Sequence, residues 1–447
     1  MSTPATPPNA QWHSRLGFIL ASAGSAVGLG ALWKFPYWAG ANGGAAFILP
    51  YIFFTLTSGL ALVMAEIALG RHGRGSVVTA MRRTGGRFAG AAGAFSVLTS
   101  FVILSYYSVV GGWCLAYLGD ALVGRAVSSN VENLREHFAA LVSTGWLNVS
   151  WHSVFLTLTC AIVALGIEKG IERLSKVLMP TLFVLMIVLT AAGLSLDGAT
   201  EGVRYLFNFH WADITSQSIL NAMGYTFFSL SLGAGILVTY GTYLPERTCI
   251  PTASLWIAVL SIVASLLAGL MTMPAVFAFG LTPNAGPGLV FLTVPMIFSK
   301  LPGGAFLAIL FYASLLVTAI TSSVSLLEVV VTYLRNDCHL TRRASTVICW
   351  AVLLFFGTFS ALSFSAWQEL TVFGRGIFDL LDYISTNFLM PFGGLAVVFL
   401  MGWKAWPVMR SELLSARTFP KAILALMHGL ITFLAPLLVL CALLQAF

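Results

Sequence analysis

The chain has 447 residues, of which 58% are hydrophobic and 9% charged, and its mean hydropathy is +0.91. Soluble domains carry about a quarter charged residues, so this composition excludes a soluble globular protein and indicates a protein of the lipid bilayer. The net charge of +7 does not indicate nucleic-acid binding, because the basic residues lie between apolar segments. The six cysteines are scattered without metal or redox spacing and are interpreted as small apolar side chains.

Apolar runs of about twenty residues predict an all-α membrane protein with eleven spans. Residues 1–11 are polar and proline-rich, which predicts a disordered cytoplasmic N-terminus rather than a cleavable signal peptide. The predicted spans lie at 16–36, 43–69, 90–123, 151–167, 177–196, 216–241, 252–280, 303–335, 345–364, 376–402 and 421–446.

The first span is predicted to be a broken helix, because Gly24–Gly30 reads G-S-A-V-G-L-G and Pro36 follows shortly after. The alternative interpretation is a glycine-lined face for close helix packing. A second interrupted segment favours the break, since Phe227–Gly235 reads F-F-S-L-S-L-G-A-G within the sixth span. Two interrupted spans at corresponding places in two halves of a chain are typical of inverted-repeat secondary transporters, whose binding sites lie where the breaks meet.

The two interrupted spans also predict how the chain is organised. Residues 12–200 form a first repeat of five spans, residues 201–402 a second repeat, and residues 403–447 an additional eleventh span. Cytoplasmic segments carry the excess of Lys and Arg. With the N-terminus inside, seventeen of the 23 basic residues fall on the cytoplasmic side and six outside. This asymmetry predicts a cytoplasmic N-terminus and, with eleven spans, a C-terminus outside.

Long motifs along the chain resemble those of the neurotransmitter:sodium symporter family. The opening Trp12–Pro36 carries the first resemblance, and Asn42–Tyr51 (N-G-G-A-A-F-I-L-P-Y), Glu168–Lys176 (E-K-G-I-E-R-L-S-K), Phe227–Gly233 and Thr318–Ser323 (T-A-I-T-S-S) strengthen it. The chain is most similar to bacterial members with eleven spans and a leucine-transporter-like fold. The resemblance implies a five-plus-five inverted repeat, a bacterial inner-membrane location, and alternating access driven by a sodium gradient.

One sodium site is expected on the eighth span. Thr318, Thr321 and Ser322 fall at i, i+3 and i+4, which places three hydroxyls on one helix face. The alternative is that these hydroxyls bond back to their own helix, as is common in membrane helices. The resemblance implies a sodium site in which they join the backbone carbonyls of Gly24 and Val27.

The family's second sodium site is expected to be weak or absent. Ala31 stands where the family has an asparagine and offers no side-chain oxygen. Ser261 stands where an asparagine or aspartate is usual on the seventh span, which leaves one sodium as the prediction. Tyr51, Ser229 and Ser265 could suggest an anion site. However, Tyr225 replaces the glutamine of chloride-dependent relatives, so chloride is not expected to take part.

The resemblance also implies a substrate pocket between the two breaks. Ala234 replaces the phenylalanine of the bacterial leucine transporter, which predicts an enlarged pocket suited to a bulky apolar or aromatic amino acid. The Tyr107 hydroxyl could bind a substrate carboxylate, although a packed aromatic residue is the alternative. The substrate-binding residues are predicted to be Ser25, Ala26, Leu29, Gly30, Ile103, Tyr107, Phe228, Ser229, Ser231, Ala234, Ser322 and Leu326.

Two gates are predicted from charged and aromatic residues that match the family. Lys34 and Asp382 match an outer gate, in which Lys replaces the usual Arg and should hold less tightly, because it lacks the paired donors of a guanidinium. The outer segment 281–302, with T-P-N-A-G-P-G, is either a lid or a proline-rich connector. The inner gate is assigned to Trp12, Tyr243, Glu328 and Asp337, the last beside Asn336 at the aligned position.

The main prediction is therefore a sodium-coupled symporter that imports an amino acid. A passive channel or a solute sensor on the same scaffold, or a transporter of another small solute, remains as an alternative because of the altered second sodium site. An enzyme is not expected, since the seven histidines are dispersed and no nucleophile–base pair stands out.

Overall fold

A computed structural model describes residues 11–127, 130–209, 213–280, 291, 298–299 and 301–444. Residues 1–10 of the predicted N-terminal tail and most of the predicted lid, 281–302, lie outside the described residues. The described chain is helical apart from one antiparallel hairpin, in which Thr371–Val372 pairs with Arg375–Gly376.

The first half of the chain forms nine helices, four of them long, with all counts referring to the described residues. Those helices are α1 (Arg15–Ala26), α2 (Gly30–Ala41), α3 (Ala45–Gly73), α4 (Val77–Gly85), α5 (Arg87–Leu122), α6 (Val131–Ser143), α7 (Gly145–Ala164), α8 (Ile167–Leu194) and α9 (Ala199–Phe207).

The second half adds eight helices within the same described ranges. They are α10 (Ser216–Ser229), α11 (Ile236–Thr242), α12 (Ile250–Ala278), α13 (Gly304–Asn336), α14 (Arg342–Leu362), α15 (Ile377–Lys404), α16 (Trp406–Leu414) and α17 (Lys421–Cys441).

Nine of the helices in the described ranges are long and apolar enough to cross a membrane. The pair α1 and α2 meets at an angle of 55° and would make a tenth span. The remaining predicted span, 216–241, corresponds to the helix pair α10 and α11. Each of these two helices is too short by itself to be counted as long enough to cross a membrane. Both interruptions predicted from the glycines are therefore present.

The break between α10 and α11 is stabilised by neighbouring helices. Ser231, Gly233 and Gly235 all have positive φ, between 53° and 80°. A Cβ at Gly233 would lie 1.9 Å from the Met390 carbonyl oxygen, so only glycine fits there. The Gly233 N–H donates to the buried Glu66 carboxylate at 2.7 Å. Unwound backbone is tolerated at membrane depth when protein groups bind it in this way.

Helix packing encloses the two breaks. The long helices α5 and α13 form the most extensive helix pair, and α12 packs along α8 while α11 packs along α3. A single large hydrophobic cluster joins buried residues from the N-terminal helices, α5, α11 and α13. The breaks consequently lie inside the bundle and face α5, α13 and α15 rather than lipid.

Candidate functional site

A cavity of about 560 Å³ lies between the two breaks and is lined mainly by apolar and aromatic side chains. This volume is within the usual range for small-molecule sites. Eleven of the twelve residues predicted to bind substrate line it: Ser25, Ala26, Leu29, Gly30, Ile103, Tyr107, Phe228, Ser231, Ala234, Ser322 and Leu326.

Ser229 is the exception among the predicted pocket residues, and its placement corrects the sequence-based prediction. Its hydroxyl donates to the Thr226 carbonyl at 3.1 Å, and its own carbonyl accepts from the Ser261 hydroxyl at 3.3 Å. Ser229 therefore lies on the side of the break away from the cavity and is not among its lining residues in the described chain.

Hydroxyl groups from α5, α13 and the second break hold the break between α1 and α2. The Leu29 N–H donates to the Tyr107 hydroxyl at 3.4 Å. Ser231 donates to the Ser25 carbonyl at 2.8 Å, and Ser322 lies 3.4 Å from the same oxygen. The part of the cavity beside this break is therefore built from backbone groups and neutral hydroxyls, and charged side chains, including Lys34 and Asp382, also line the cavity.

Three of the five predicted sodium-binding residues, Gly24, Thr321 and Ser322, are brought together where α1 ends against α13. A Cβ at Gly24 would lie 3.2 Å from Cβ of Thr321, and the Ser322 hydroxyl is 3.4 Å from the Gly24 carbonyl oxygen. Thr318 donates to the Ser314 carbonyl at 2.6 Å, and Val27 is fully buried at the end of α1.

Two of the three hydroxyls on α13, those of Thr318 and Thr321, bond back to their own helix, which was the alternative interpretation of their spacing. The Thr321 hydroxyl donates to the Val317 and Thr318 carbonyls, each at 3.1 Å. A hydroxyl that donates its hydrogen still has two oxygen lone pairs, so this bonding does not prevent it from ligating a cation. Neutral buried oxygens suit sodium, and the described residues contain no cluster of three His, Cys, Asp or Glu that could hold a metal.

The region of the second family sodium site contains hydroxyl groups bonded to one another. Ser265 Oγ lies 3.1 Å from the Tyr51 hydroxyl and 3.2 Å from the Tyr225 hydroxyl. The Tyr225 hydroxyl also donates to the Gly30 carbonyl at 3.4 Å. Ala31, the residue after Gly30, is buried and contributes only a methyl side chain.

The end of the bundle that bears Lys34, called here the Lys34 end, has a partly exposed ion pair. Lys34 Nζ lies 3.8 Å from the Asp382 carboxylate and 4.1 Å from the centre of the Phe228 ring. Asp382 also accepts from the Tyr106 hydroxyl at 3.0 Å. Both predicted residues of this gate are therefore in contact, and both line the cavity.

The opposite end, called here the Trp12 end, is closed by buried groups. The Tyr243 hydroxyl donates to Glu328 at 3.2 Å, and the Trp12 indole N–H donates to the Tyr240 carbonyl at 2.9 Å. Asp337 does not join them. It accepts instead from Ser76 and Thr79 at the start of α4 and pairs with Arg82 at 3.4 Å. The assignment of Asp337 to this gate is corrected accordingly.

The partner of Glu328 was missed by the sequence analysis. Arg342 donates to both Glu328 carboxylate oxygens and, at 2.7 Å, to the Val163 carbonyl. A buried acidic residue in an apolar run signals that some cation must be near, but no sequence spacing identifies the first residue of α14 as that cation.

A second missed residue is Arg71, which is only 1% exposed although it lies at the end of α3. Its guanidinium donates to the Glu412 carboxylate at 2.5 Å and to the Thr248 carbonyl at 2.7 Å. It also reaches the Glu246 carbonyl and the Ser415 hydroxyl. We call this group the Arg71 cluster. It connects α3, the segment after α11, and α16.

Comparison with known proteins gives one consistent result. The model of the sodium:neurotransmitter symporter family matches residues 9–131 and 129–446. The sodium-dependent transporter YhdH of Bacillus subtilis is 38% identical over 406 residues, which cover 91% of this chain and 89% of YhdH. A sodium-dependent transporter of Haemophilus influenzae is 33% identical over 444 residues, with 96% of each chain covered.

A solved structure extends this similarity to the fold. The crystal structure of MhsT in complex with L-phenylalanine matches with a TM-score of 0.90 and 38% sequence identity, covering 98% of this chain and 100% of MhsT. These findings confirm the family and the all-helical membrane fold predicted from the sequence motifs. The chain belongs to the sodium:neurotransmitter symporter family and is a multi-pass, sodium-dependent membrane transporter rather than an enzyme.

Proposed function

We propose that the protein is a sodium-coupled symporter that imports an apolar or aromatic amino acid by alternating access, with a single sodium ion per substrate. The observation that carries this proposal is the apolar cavity between the two breaks, in a fold that in MhsT holds L-phenylalanine. A substrate seated there would contact both repeats of the bundle and could therefore couple its own binding to their relative movement.

The lining of the cavity combines polar groups beside the first break with a large apolar surface. Backbone N–H groups and the Tyr107 hydroxyl beside Leu29 can donate to a carboxylate. Ile103, Phe228 and Leu326 offer an apolar surface for a large side chain, and the small Ala234 adds room beside them. This arrangement supports a zwitterionic substrate with an apolar or aromatic side chain.

A single sodium ion is supported by the contrast between two groups of residues. On one side, Gly24, Val27, Thr318, Thr321 and Ser322 offer five neutral oxygens from α1 and α13. On the other side, Ala31 has no side-chain oxygen, and the hydroxyls of Tyr51 and Tyr225 bond to Ser265. The second group binds neither a second sodium nor chloride in this proposal.

The orientation proposed for transport has the Lys34 end outside and the Trp12 end in the cytoplasm of a bacterial inner membrane. The excess of Lys and Arg around the Trp12 end supports it. In this scheme the repeats 12–200 and 201–402 move relative to each other, and residues 403–447 form an additional span.

Sodium and substrate fluxes measured together in proteoliposomes test the proposal. We expect one sodium per amino acid, a Hill coefficient of about one for sodium, and uphill accumulation that stops when the sodium gradient is removed. A passive channel or a sensor would show no uphill accumulation.

Paired variants locate the sodium ion. Thr321→Ala combined with Ser322→Ala should abolish sodium-dependent binding, because it removes two of the five proposed ligands. Ser261→Ala serves as the matched control, since its hydroxyl donates to the Ser229 carbonyl and belongs to none of the five proposed ligands, and sodium dependence should persist. A ratio near two, or sodium binding that survives the double change, would contradict the single site.

A further inference from the structure

We propose that the Tyr225 hydroxyl positions the broken first helix by binding the Gly30 carbonyl. Tyr225 is thus a positioning residue for substrate binding. The inference deepens the proposed function and rests on the substrate cavity assigned there.

The hydroxyl groups around Tyr225 form a chain that ends on the backbone of α2. Tyr51 lies on α3, Ser265 on α12 and Tyr225 on α10, and Ser265 is within 3.2 Å of both phenol oxygens. The Tyr225 hydroxyl has a single hydrogen, which it donates to the Gly30 carbonyl at 3.4 Å. Each hydroxyl can therefore donate once: Tyr51 to Ser265, Ser265 to Tyr225, and Tyr225 to Gly30.

The chain of hydroxyls is buried and fixed by aromatic packing. Tyr51 and Ser265 are fully buried, and Tyr225 is 3% exposed. The Tyr225 ring packs against Phe35 at 5.7 Å and Tyr51 at 5.0 Å between ring centres. In such surroundings a hydrogen-bonded chain polarises along its length, so the terminal O–H presents its positive end to the carbonyl.

Gly30 is the point at which this chain meets the substrate site. Its carbonyl precedes Ala31, and Gly30 itself lines the cavity together with Leu29. The Phe228 ring packs so closely on Gly30 that a Cβ there would lie 2.1 Å from a ring carbon. A displaced Gly30 would therefore also shift Leu29 and Phe228, two of the residues proposed to contact substrate.

Tyr225→Phe tests the inference, because it removes the hydroxyl and keeps the ring. We expect the dissociation constant for L-phenylalanine to rise roughly tenfold, the effect of losing one buried hydrogen bond, while the sodium ratio stays at one. Tyr51→Phe is the matched control: it breaks the first bond of the chain but leaves the bond to Gly30, so its effect should be smaller. The double variant should bind no worse than Tyr225→Phe alone, since Tyr51 acts through Tyr225.

Hydrogen exchange of the peptide covering residues 24–34 provides a readout that needs no substrate. Exchange should be faster in Tyr225→Phe than in the unmodified protein or in Tyr51→Phe. A purely structural role for Tyr225 would lower thermal stability without this local change and without a specific loss of L-phenylalanine affinity. If Tyr225→Phe does not fold, Ser265→Ala, which removes the donor to Tyr225, should shift affinity and exchange in the same direction.

Unchanged affinity together with unchanged exchange, or additive effects of the two Tyr→Phe changes, would overturn the inference. Failure of the proposed function is seen separately in the unmodified protein, either as two sodium ions per substrate or as no binding of L-phenylalanine. In the latter case hydrogen exchange still decides whether Tyr225 positions the break.

Discussion

Single side chains set the size of the cavity, and Ala234 is the clearest case. It lies next to Gly233 in the second break and lines the cavity together with Phe228. Its carbonyl accepts from Ser100 at 2.6 Å, so the backbone at this position is held and cannot easily withdraw from a larger side chain.

Ala234→Phe is therefore expected to shift the substrate preference toward smaller amino acids. An added ring in a fixed wall overlaps with the substrate, and overpacking of about 1–3 kcal/mol corresponds to a loss of roughly five- to 150-fold in affinity. Competition of L-phenylalanine and L-alanine for the same site measures the shift. Ala161→Phe, at an exposed position of α7, is the matched control. An unchanged ranking of substrates would show that Ala234 does not contact the substrate.

Residue-level predictions are supported by contacts in the structure where a motif carries its own geometry. The spacing of Thr321 and Ser322 places both hydroxyls on one helix face, and the fold then brings that face to Gly24. Asp337 was assigned to the inner gate because it follows Asn336 in the sequence. In the fold its carboxylate contacts Ser76, Thr79 and Arg82 instead. Arg342 was missed for a related reason: the pairing of Glu328 depends on how α14 packs, which no local pattern encodes.

Among elements, the broken helices were predicted well because glycine leaves a strong local signal. The structure adds that α2 starts with a wide π-type turn, Gly30–Lys34, directly before Pro36. The short helices α4, α6, α9 and α16 were not predicted, because they are too short and too polar for a search based on apolar length. Their positions are set by contacts with the long helices, such as α4 against α5.

The contact between α2 and α15 at the Lys34 end makes a prediction about paired elements. Reversal of either Lys34 or Asp382 should reduce uptake, and the double reversal should recover part of it. Because both side chains are about one-third exposed, the coupling should be modest, about 1 kcal/mol or less. Tyr106 also donates to Asp382, which is why the recovery is expected to be partial. Two losses that simply add in a double-mutant cycle would exclude the pair from the mechanism.

At the scale of the whole molecule, the Arg71 cluster joins segments that are far apart in sequence. Arg71 and Glu412 are separated by 341 positions, and their ion pair is mostly buried. The sequence shows Arg71 only as one of several basic residues after an apolar run, because burial of its guanidinium depends on the docking of α16.

Arg71→Met should therefore lower the thermal unfolding temperature strongly. It removes the Arg71 guanidinium from the Glu412 carboxylate and from three backbone carbonyls, and breaking a buried pair costs about 3–5 kcal/mol. Arg410→Met, an exposed change on α16, should have little effect. Thermal unfolding of both variants in detergent measures the difference, and equal unfolding temperatures would show that the cluster contributes nothing to stability.

The two ends of the bundle differ in the solvent exposure of their charged side chains. The pair at the Lys34 end is partly solvated, whereas Glu328 is fully buried and Arg342 is 16% exposed. Dissolved ions screen exposed charges over about 10 Å at 0.1 M salt but barely reach buried ones. We therefore expect ionic strength to weaken the ion pair at the Lys34 end and to leave the pair at the Trp12 end almost unaffected. In the proposed alternating-access scheme, the salt concentration of the surroundings would then bias which way the cavity faces, independently of sodium as the coupled ion.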